Sequence, residues 1–294
     1  MTRREFVVGS AIAAGSAHTS WGQSSDNAKL SRIAIMTGNF SSILKSASHP
    51  NDPKRTLDIM NVPDVFAERF GVHYIEPAFT AFQSTEPEYF REFKERLRKA
   101  KSQLNQISLG ALSEGGSGAT YGPINISSPE FLRRIEAVDL TKRWIDHAAE
   151  LGCPRVMVNE GGLAPEVRKE TVDALRAMVE YGKTKKVFVT METRNDRWQD
   201  VVEVIKGAGA AANPDTGNFF NEEERHAGLR VMYPLSSGSS HVHYAPEKWS
   251  LHDALQIAKE VGYKGLFSVE SGANNGPDPY ARVQTVIDAI LKEI

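Results

Sequence analysis

Four side chains able to bind a metal end consecutive predicted strands in the second half of the sequence. Glu192, Asp215, His243 and Glu270 lie 23, 28 and 27 residues apart, each interval about one strand–helix unit. In a barrel of parallel strands, residues at the carboxyl ends of the strands face the same mouth. Three carboxylates in one pocket repel one another unless a cation neutralises them. The pattern therefore predicts one divalent metal, with Mn²⁺ or Mg²⁺ favoured and Co²⁺, Zn²⁺ or Fe²⁺ also compatible.

Other polar side chains near this mouth are candidates for contact with a substrate. Strand alternation puts His241 and His243 on one face of their strand, with His243 nearer the mouth. His243 is therefore the expected metal ligand; His241 is expected to pack beneath it, and is kept as a substrate-binding candidate. Glu76, Glu160 and Arg194 are candidates for binding substrate hydroxyl groups. Each of these three is equally compatible with a plain salt bridge.

The sequence NPDTGN at 213–218 contains Asp-Thr-Gly, which is also the signature of aspartic proteases. Those enzymes use a pair of aspartates that share one proton. They are also all-β proteins, whereas the Asp-Thr-Gly of this chain occurs once, among alternating strands and helices. We therefore interpret Asp215 as a residue at the end of a parallel strand and not as half of a protease dyad.

Short apolar strands alternate with amphipathic helices from residue 32 to the end of the chain. The predicted strands cover 32–37, 72–77, 105–112, 154–162, 186–192, 208–215, 238–244 and 265–270. A short helix bears Val65, Phe66 and Phe70, and the longer predicted helices cover 87–104, 129–151, 164–182, 197–207, 250–262 and 277–294. Eight strands with this rhythm predict an α/β fold, a single (β/α)8 TIM barrel over residues 29–294. A doubly wound sheet is the alternative, because the Ala-rich strand at 208–215 is weak.

Composition limits the classes of function. The 294 residues carry a formal net charge of −2, so no basic excess favours nucleic acid as a partner. Cys153 is the single cysteine, which excludes an intramolecular disulfide and a zinc site built from several cysteines. The expected partner is a small molecule, and the sequence is compatible with a homo-oligomer.

The first 28 residues resemble an export signal of the twin-arginine type followed by a short linker. Arg3 and Arg4 precede Phe6 and a run of small and apolar residues at 7–14. Cleavage is expected after Ala17 or Gly22. An uncleaved anchor is the alternative, but the run is too short to span a bilayer well. We therefore expect a periplasmic or otherwise exported protein, without stable membrane insertion after signal cleavage.

Five motifs together resemble one family. They are FGVHYIEP at 70–77, VTMETRN at 189–195, NPDTGN at 213–218, HVHYAP at 241–246 and FSVESG at 267–272. In this order they resemble the xylose isomerase-like TIM barrels, often called sugar phosphate isomerases/epimerases, over residues 30–294. The resemblance implies metal ligation by Glu192, Asp215, His243 and Glu270. It also implies that Glu192 and Glu270 are the catalytic acid/base pair.

The resemblance also implies a reaction, with two departures from the family pattern. Several members have a histidine where this chain has Asn218, which is therefore only a candidate for substrate binding. Ala245 and Pro246 replace a usual charged pair. Because phosphorylated sugars are scarce outside the cytoplasm, the export signal favours a non-phosphorylated keto-sugar. The expected activity is a divalent-metal-dependent sugar isomerase or epimerase that moves a proton next to a metal-bound carbonyl.

Three other functions were weighed against this one. The same site would suit a metal-dependent keto-sugar or inosose lyase or dehydratase, and only product analysis separates the two. An exported sugar-binding protein with a degenerate site is less compatible with four retained ligands. A DNA repair endonuclease of the related family needs more histidine ligands and a basic groove, and the sequence offers neither.

Overall fold

The strands of the computed structural model match the predicted pattern closely. The structure describes residues 27–46, 49, 52–110, 125–194, 196–271 and 277–294. Within them the strands are β1 Ile33–Met36, β2 Tyr74–Glu76, β3 Gln103–Leu104, β4 Ile107–Ser108, β5 Arg155–Asn159, β6 Phe188–Glu192, β7 Ala211–Asn213, β8 Ser239–His243 and β9 Leu266–Glu270. The strand predicted at 105–112 is replaced by two short strands, β3 and β4. The weak strand predicted at 208–215 is present as β7.

The helices follow the strands along the chain. Those of nine or more residues among the described ranges are α1 Val62–Phe70, α2 Pro87–Lys99, α3 Phe131–Leu151, α4 Arg168–Lys185, α5 Trp198–Ala208, α6 Glu222–Met232, α7 Leu251–Glu260 and α8 Pro279–Glu293. The helix predicted over 87–104 ends at Lys99, because Lys101 adopts a positive φ of 53° and the chain turns into β3. Helix α6 was not predicted. None of the helices in the described ranges combines the length and apolar character needed to cross a membrane.

The strands form two parallel sheets whose order follows the chain. One sheet has the order β3-β2-β1-β9-β8, and the other has the order β4-β5-β6-β7. The first strand therefore pairs with the last, with Ile35 opposite Val269, which is not the order of a doubly wound sheet. Isolated parallel bridges join the sheets at both edges, at Ala78–Ser108 and at Asp215–His241. The fold is α/β with parallel strands.

Alternation along β6 shows how the strands sort their side chains between two environments. Val189 and Met191 belong to the apolar core between strands and helices, where a methyl group of Val189 lies close to Gly182 of α4. Thr190 and Glu192 point to the opposite face of the sheet, where the hydroxyl of Thr190 donates a hydrogen bond to Gln106. Successive residues of a strand face opposite sides, so one short segment supplies both the packing and the site.

Specific residues at the helix ends determine where two of the helices begin and end. Helix α7 begins after Ser250, whose hydroxyl caps the helix by accepting a hydrogen bond from the backbone N–H of Asp253 at 3.2 Å. Helix α3 ends at Gly152 with φ 73°, a left-handed conformation that glycine adopts without steric cost. The chain then enters β5 three residues later.

The predicted export signal lies almost wholly outside the described residues. Description of the structure begins at Asn27, so residues 27 and 28 are the only part of the predicted signal and linker that it covers. The export of this protein therefore stays a prediction.

Candidate metal centre

Carboxylates from three strands and one imidazole converge at the carboxyl end of the sheet. One ligand atom from each of Glu192, Asp215, His241 and Glu270 lies within 4.8 Å of the others. Three of the four residues predicted as ligands are in this group. The fourth predicted ligand, His243, lies beside it: its Nε2 is 3.1 Å from Oδ2 of Asp215 and 3.3 Å from Oε2 of Glu270. The structure therefore brings two histidines to the carboxylates where the sequence analysis expected one.

The Asp-Thr-Gly sequence orients Asp215. Its Oδ1 accepts hydrogen bonds from the backbone N–H groups of Gly217 at 2.6 Å and Asn218 at 3.1 Å. The carboxylate is fully buried, and its second oxygen, Oδ2, makes no hydrogen bond with any described residue. The loop backbone thus fixes Oδ1 of Asp215, whereas Oδ2 lies in the cluster and accepts no hydrogen bond from the described residues.

The next two residues of this loop hold His243. The hydroxyl of Thr216 accepts a hydrogen bond from the backbone N–H of His243 at 3.0 Å. A Cβ atom on Gly217 would lie 2.8 Å from Cγ of the His243 ring, so the loop passes the imidazole only because that residue is glycine. The Nε2 atom of His243 is buried and, across the described ranges, has no hydrogen-bond partner. Its nearest oxygen there is the equally unpartnered Oδ2 of Asp215.

His241 is fully buried, and both of its ring nitrogens face carboxylates. Its Nε2 lies 2.8 Å from Oε1 of Glu76, and its Nδ1 is hydrogen-bonded to Oε1 of Glu192. Nδ1 is also 3.2 Å from Oε2 of Glu270. Burial alone would lower the pKa of His241, but the negative charges of Glu192 and Glu76 outweigh it and raise that pKa well above its usual value. His241, two residues before His243 in β8, is thus in direct contact with the acidic cluster.

The two predicted acid/base residues have opposite electrostatic environments. Burial raises the pKa of Glu192 to about 8, with His241 opposing the shift and Asp215 and Glu270 adding to it. Burial would also raise the pKa of Glu270, but the charges of His243 and His241 reverse the direction and hold it well below its usual value. In the metal-free site the surroundings therefore drive the pKa values of the two glutamates in opposite directions. Such a divergence is typical of paired catalytic carboxylates.

The residues predicted to bind substrate are not gathered at the mouth. Glu76, Glu160 and His241 are fully buried, and Oε1 of Glu160 accepts a hydrogen bond from the backbone N–H of Arg194 at 2.8 Å. The prediction that Glu76 binds substrate hydroxyl groups needs correction: both of its oxygens are occupied by internal donors. Arg194 and Asn218 are half-buried and remain the candidates nearest to solvent.

Two buried residues that support the site were missed by the sequence analysis. Asn159, at the end of β5, donates a hydrogen bond from Nδ2 to Oε2 of Glu192 at 2.8 Å. Its place at a strand end, in register with Glu192, was a usable signal. Arg225 of α6 is fully buried; it pairs with Glu222 at 2.6 Å and donates to the carbonyl of Thr216 at 3.3 Å. Nothing in the sequence distinguishes that i,i+3 pair from an ordinary surface pair.

The residues present fit a divalent cation. The unpartnered Oδ2 of Asp215 and Nε2 of His243 are buried 3.1 Å apart, and Oε2 of Glu270 lies within 3.3 Å of that nitrogen. Buried polar atoms without partners are rare in proteins, and a missing ion is one accepted explanation. Oxygen ligands with one imidazole suit Mn²⁺ or Mg²⁺ better than the softer metals that prefer sulfur.

Comparison with solved structures reveals the same fold in several enzymes. L-ribulose 3-epimerase superposes with a TM-score of 0.66 and 16% identity, covering 89% of this chain and 95% of that one. D-allulose 3-epimerase from Methylomonas sp., solved with D-allulose, gives 0.66 and 13%, covering 90% and 97%. A xylose isomerase-like TIM barrel protein from Mycobacterium smegmatis, solved with magnesium, gives 0.60 and 17%, covering 89% and 95%. At these identities the likeness concerns the fold.

Sequence comparison identifies the family. Searching curated protein sequences gives no match. The family model described as xylose isomerase-like TIM barrel matches residues 65–290, which include β2 to β9 and all four predicted metal ligands. The chain therefore belongs to the xylose isomerase-like TIM barrel family.

Proposed function

We propose that this protein is a divalent-metal-dependent isomerase or epimerase acting on a non-phosphorylated keto-sugar. The observation that carries the proposal is the convergence of Glu192, Asp215 and Glu270 with two histidines at the carboxyl end of the strands. That end is where enzymes with barrels of this type hold their active sites. The structural relatives named for D-allulose and L-ribulose support a sugar substrate, and their names include no phosphate.

The proposed metal ligands are Glu192, Asp215, His243 and Glu270. Between the two histidines we choose His243, because its Nε2 faces the proposed ligands Asp215 and Glu270, whereas Nε2 of His241 faces Glu76, which is outside the ligand set. Mn²⁺ or Mg²⁺ is the proposed ion. When bound, such a cation polarises a sugar carbonyl and stabilises negative charge on its oxygen.

Glu192 and Glu270 are the proposed acid/base pair for proton transfer at the carbon next to that carbonyl. They extend from β6 and β9, which lie in different sheets, so they approach the centre of the mouth from different sides. One glutamate accepts the proton from its side of that carbon, and its partner on the other side returns one. If the proton returns to the same carbon from the opposite face, the configuration of that carbon is inverted, which is epimerisation. If the proton is delivered to the former carbonyl carbon, the carbonyl moves to the neighbouring carbon, which is isomerisation.

The scaffold proposed for this chemistry is a closed eight-stranded ring. The pairing of β1 with β9 and the bridges at Ala78–Ser108 and Asp215–His241 support closure, with β3 and β4 together taking the place of one strand. Closure matters for function because it fixes all strand ends around one mouth.

Metal analysis followed by solvent exchange tests the proposed function. Purified protein is analysed for bound metal, reloaded with Mn²⁺ or Mg²⁺, and incubated with a panel of keto-sugars in deuterated water. We expect one equivalent of metal and a product that is an epimer or isomer carrying deuterium at the reacting carbon. A dehydrated product would identify a lyase instead, and tight sugar binding without turnover would identify a binding protein. Either result would overturn the proposal.

We also propose export through the twin-arginine route. The support is the sequence alone: Arg3, Arg4 and Phe6 before the run at 7–14. Changing Arg3 and Arg4 together to lysine keeps the charge but removes the arginine pair. Precursor should then accumulate in the cytoplasm, as measured by fractionation and mass determination. Normal processing of the double variant would refute this route.

A further inference from the structure

A buried carboxylate beneath the proposed metal centre is bound by four donors. Oε1 of Glu76 lies 2.8 Å from Nε2 of His241 and accepts a hydrogen bond from Nε2 of Gln106 at 3.0 Å. Its Oε2 accepts from the hydroxyl of Ser268 at 2.7 Å and from Nδ2 of Asn105 at 3.3 Å. The side chain has no exposed surface. Because burying a carboxylate is costly, such complete satisfaction shows that the local structure is built around its charge.

The position of Glu76 excludes direct contact with substrate. Ser268, its partner on β9, precedes Glu270 by two residues and thus lies one layer below it on the same face of the strand. The four partners that occupy the oxygens of Glu76 are themselves buried. Any effect of Glu76 on the proposed reaction must therefore pass through a neighbour.

His241 is the neighbour that reaches the site. One nitrogen of its ring faces Glu76 and the other is hydrogen-bonded to Oε1 of Glu192. Contacts at opposite sides of an imidazole fix both its plane and its rotation. The remaining oxygen of Glu192 is held by Asn159 at 2.8 Å. The carboxylate of Glu192 is thus oriented from two sides, by an amide and by the imidazole of His241.

We propose that Glu76 is a positioning residue, which acts through His241 to hold the Glu192 carboxylate in the orientation needed for metal and substrate. The proposal rests on the function proposed above, since it assigns Glu76 to the support of that same site. Outer partners that orient a metal ligand typically change metal affinity by about 10- to 100-fold when they are removed.

Glu76→Gln is the appropriate variant. Its carbonyl oxygen can keep the contacts with His241 and Gln106, and its amide can donate to the Ser268 hydroxyl. The 3.3 Å contact with Asn105 is lost, because Asn105 is held in its orientation by Ser239 and Arg155. The variant thus removes the charge that holds the imidazole and one long hydrogen bond. We expect the metal-free variant to fold, and its Mn²⁺ affinity, measured by titration calorimetry, to fall by about 10- to 100-fold. The visible absorption of the Co²⁺-loaded protein should also change, because it reports ligand geometry.

Ser239→Ala is the matched control. Ser239 is as buried as Glu76 and accepts a hydrogen bond from Asn105 at 2.8 Å, so it belongs to the same network without touching Glu76 or His241. Its removal should leave Mn²⁺ affinity and the Co²⁺ spectrum unchanged. Equal losses in Ser239→Ala and Glu76→Gln would mean that the network acts on the fold in general, and the proposal would be wrong.

A double-mutant cycle with His241→Asn tests the route. If Glu76 acts through His241, Glu76→Gln should add little to the loss of Mn²⁺ affinity already caused by His241→Asn. Additive losses would overturn the proposal, and so would wild-type affinity in a folded Glu76→Gln protein. Should Glu76→Gln not fold, Ser268→Ala replaces it: one donor to Glu76 is lost, and a smaller decrease in affinity is expected, with no decrease contradicting the proposal. These measurements use metal alone, so they stay informative if no sugar is turned over.

Discussion

The two faces of the same strands carry opposite chemistry. Residues directed at the helices are apolar and buried, as Ile35, Ile75, Val189, Val242 and Val269 show. Residues on the opposite face include Ala34 and Met157 but are mostly polar and equally buried: Glu76, Asn105, Gln106, Thr190, Ser239, His241 and Ser268. Barrels of this kind usually fill their interior with branched apolar side chains. We call the residues that face the helices the outer layer and the residues on the opposite face of the strands the inner layer. In this protein the outer layer maintains the fold, and the inner layer supports the site.

The inner layer is a connected hydrogen-bond network, in which Nδ2 of Asn213 and Oδ1 of Asn159 have no partner among the described residues. Thr190 donates to Gln106 at 2.8 Å, Gln106 donates to Glu76, and Asn105 donates to Ser239 at 2.8 Å. The unpartnered atoms Oδ2 of Asp215 and Nε2 of His243 lie at its upper end. A satisfied network is rigid, because every member is held by its partners. The difference between the layers thus implies that substitutions in the inner layer change metal binding at the site. Substitutions in the outer layer should instead lower the free energy of unfolding.

The largest expected effect is the loss of metal binding in Asp215→Ala. The change removes an oxygen ligand and a negative charge from the centre of the cluster, so Mn²⁺ affinity should fall by orders of magnitude. The outer layer is untouched, so the circular dichroism spectrum should stay that of the folded protein. Calorimetric titration with Mn²⁺ measures the first quantity. Metal content equal to that of the wild type would contradict the proposed ligand set.

The next effect concerns turnover. Glu192→Gln and Glu270→Gln each retain size and one oxygen ligand but remove a group that transfers protons. Turnover should fall on the order of 10²- to 10⁴-fold in each variant, the usual loss when general acid–base catalysis is removed. Metal affinity should fall less than turnover does, and parallel titration of the two variants checks this. Full activity in both would require the acid/base assignment to be abandoned.

The fold and the ends of the strands were predictable because both follow from short-range patterns. Apolar runs of strand length followed by amphipathic helices predicted the α/β fold, and charged residues that end strands predicted which side chains meet. The missed elements lack those patterns. Helix α6 has a charged start at 222–225 and no clear apolar stripe, and the third strand is interrupted at residues 105 and 106.

The sequence did not allow us to predict how far below the mouth each inward-facing side chain lies. Glu76 and Glu270 both end a strand, yet Glu76 contacts Ser268, one layer below Glu270. Strands around a barrel are tilted and staggered, so equal positions on two strands lie at different heights. The stagger is a property of the whole sheet and cannot be read from one strand, so Glu76 was predicted at the mouth. For the same reason the contact between His241 and Glu192 was not predictable.

A smaller effect is expected from pH. Without metal, burial raises the pKa of Glu192 to about 8, and Asp215 and Glu270 overcome the effect of burial to raise the pKa of His243 well above its usual value. Both groups must lose a proton to bind a cation, so Mn²⁺ affinity should rise with pH, by roughly tenfold per unit for each proton displaced, and less steeply once Glu192 has titrated near pH 8. Titrations between pH 6 and pH 8.5 measure this slope. It should be shallower in Glu192→Gln, and a flat profile in the wild type would contradict the assignment.

The smallest effect on the site should come from the outer face of the strand that bears Glu76. Ile75 is fully buried in the apolar core, one residue from Glu76 but on the opposite face of β2. Ile75→Ala leaves a cavity between strand and helices, which typically costs about 2–5 kcal/mol of the free energy of unfolding. Because the inner network keeps all its partners, Mn²⁺ affinity of the folded variant should be unchanged below its unfolding temperature. Denaturant unfolding and Mn²⁺ titration of the same preparation measure both quantities. A large loss of Mn²⁺ affinity in Ile75→Ala would show that packing on the outer face of β2 affects the metal site on its inner face. The assignment of stability to the outer layer and of metal binding to the inner layer would then be wrong for this strand.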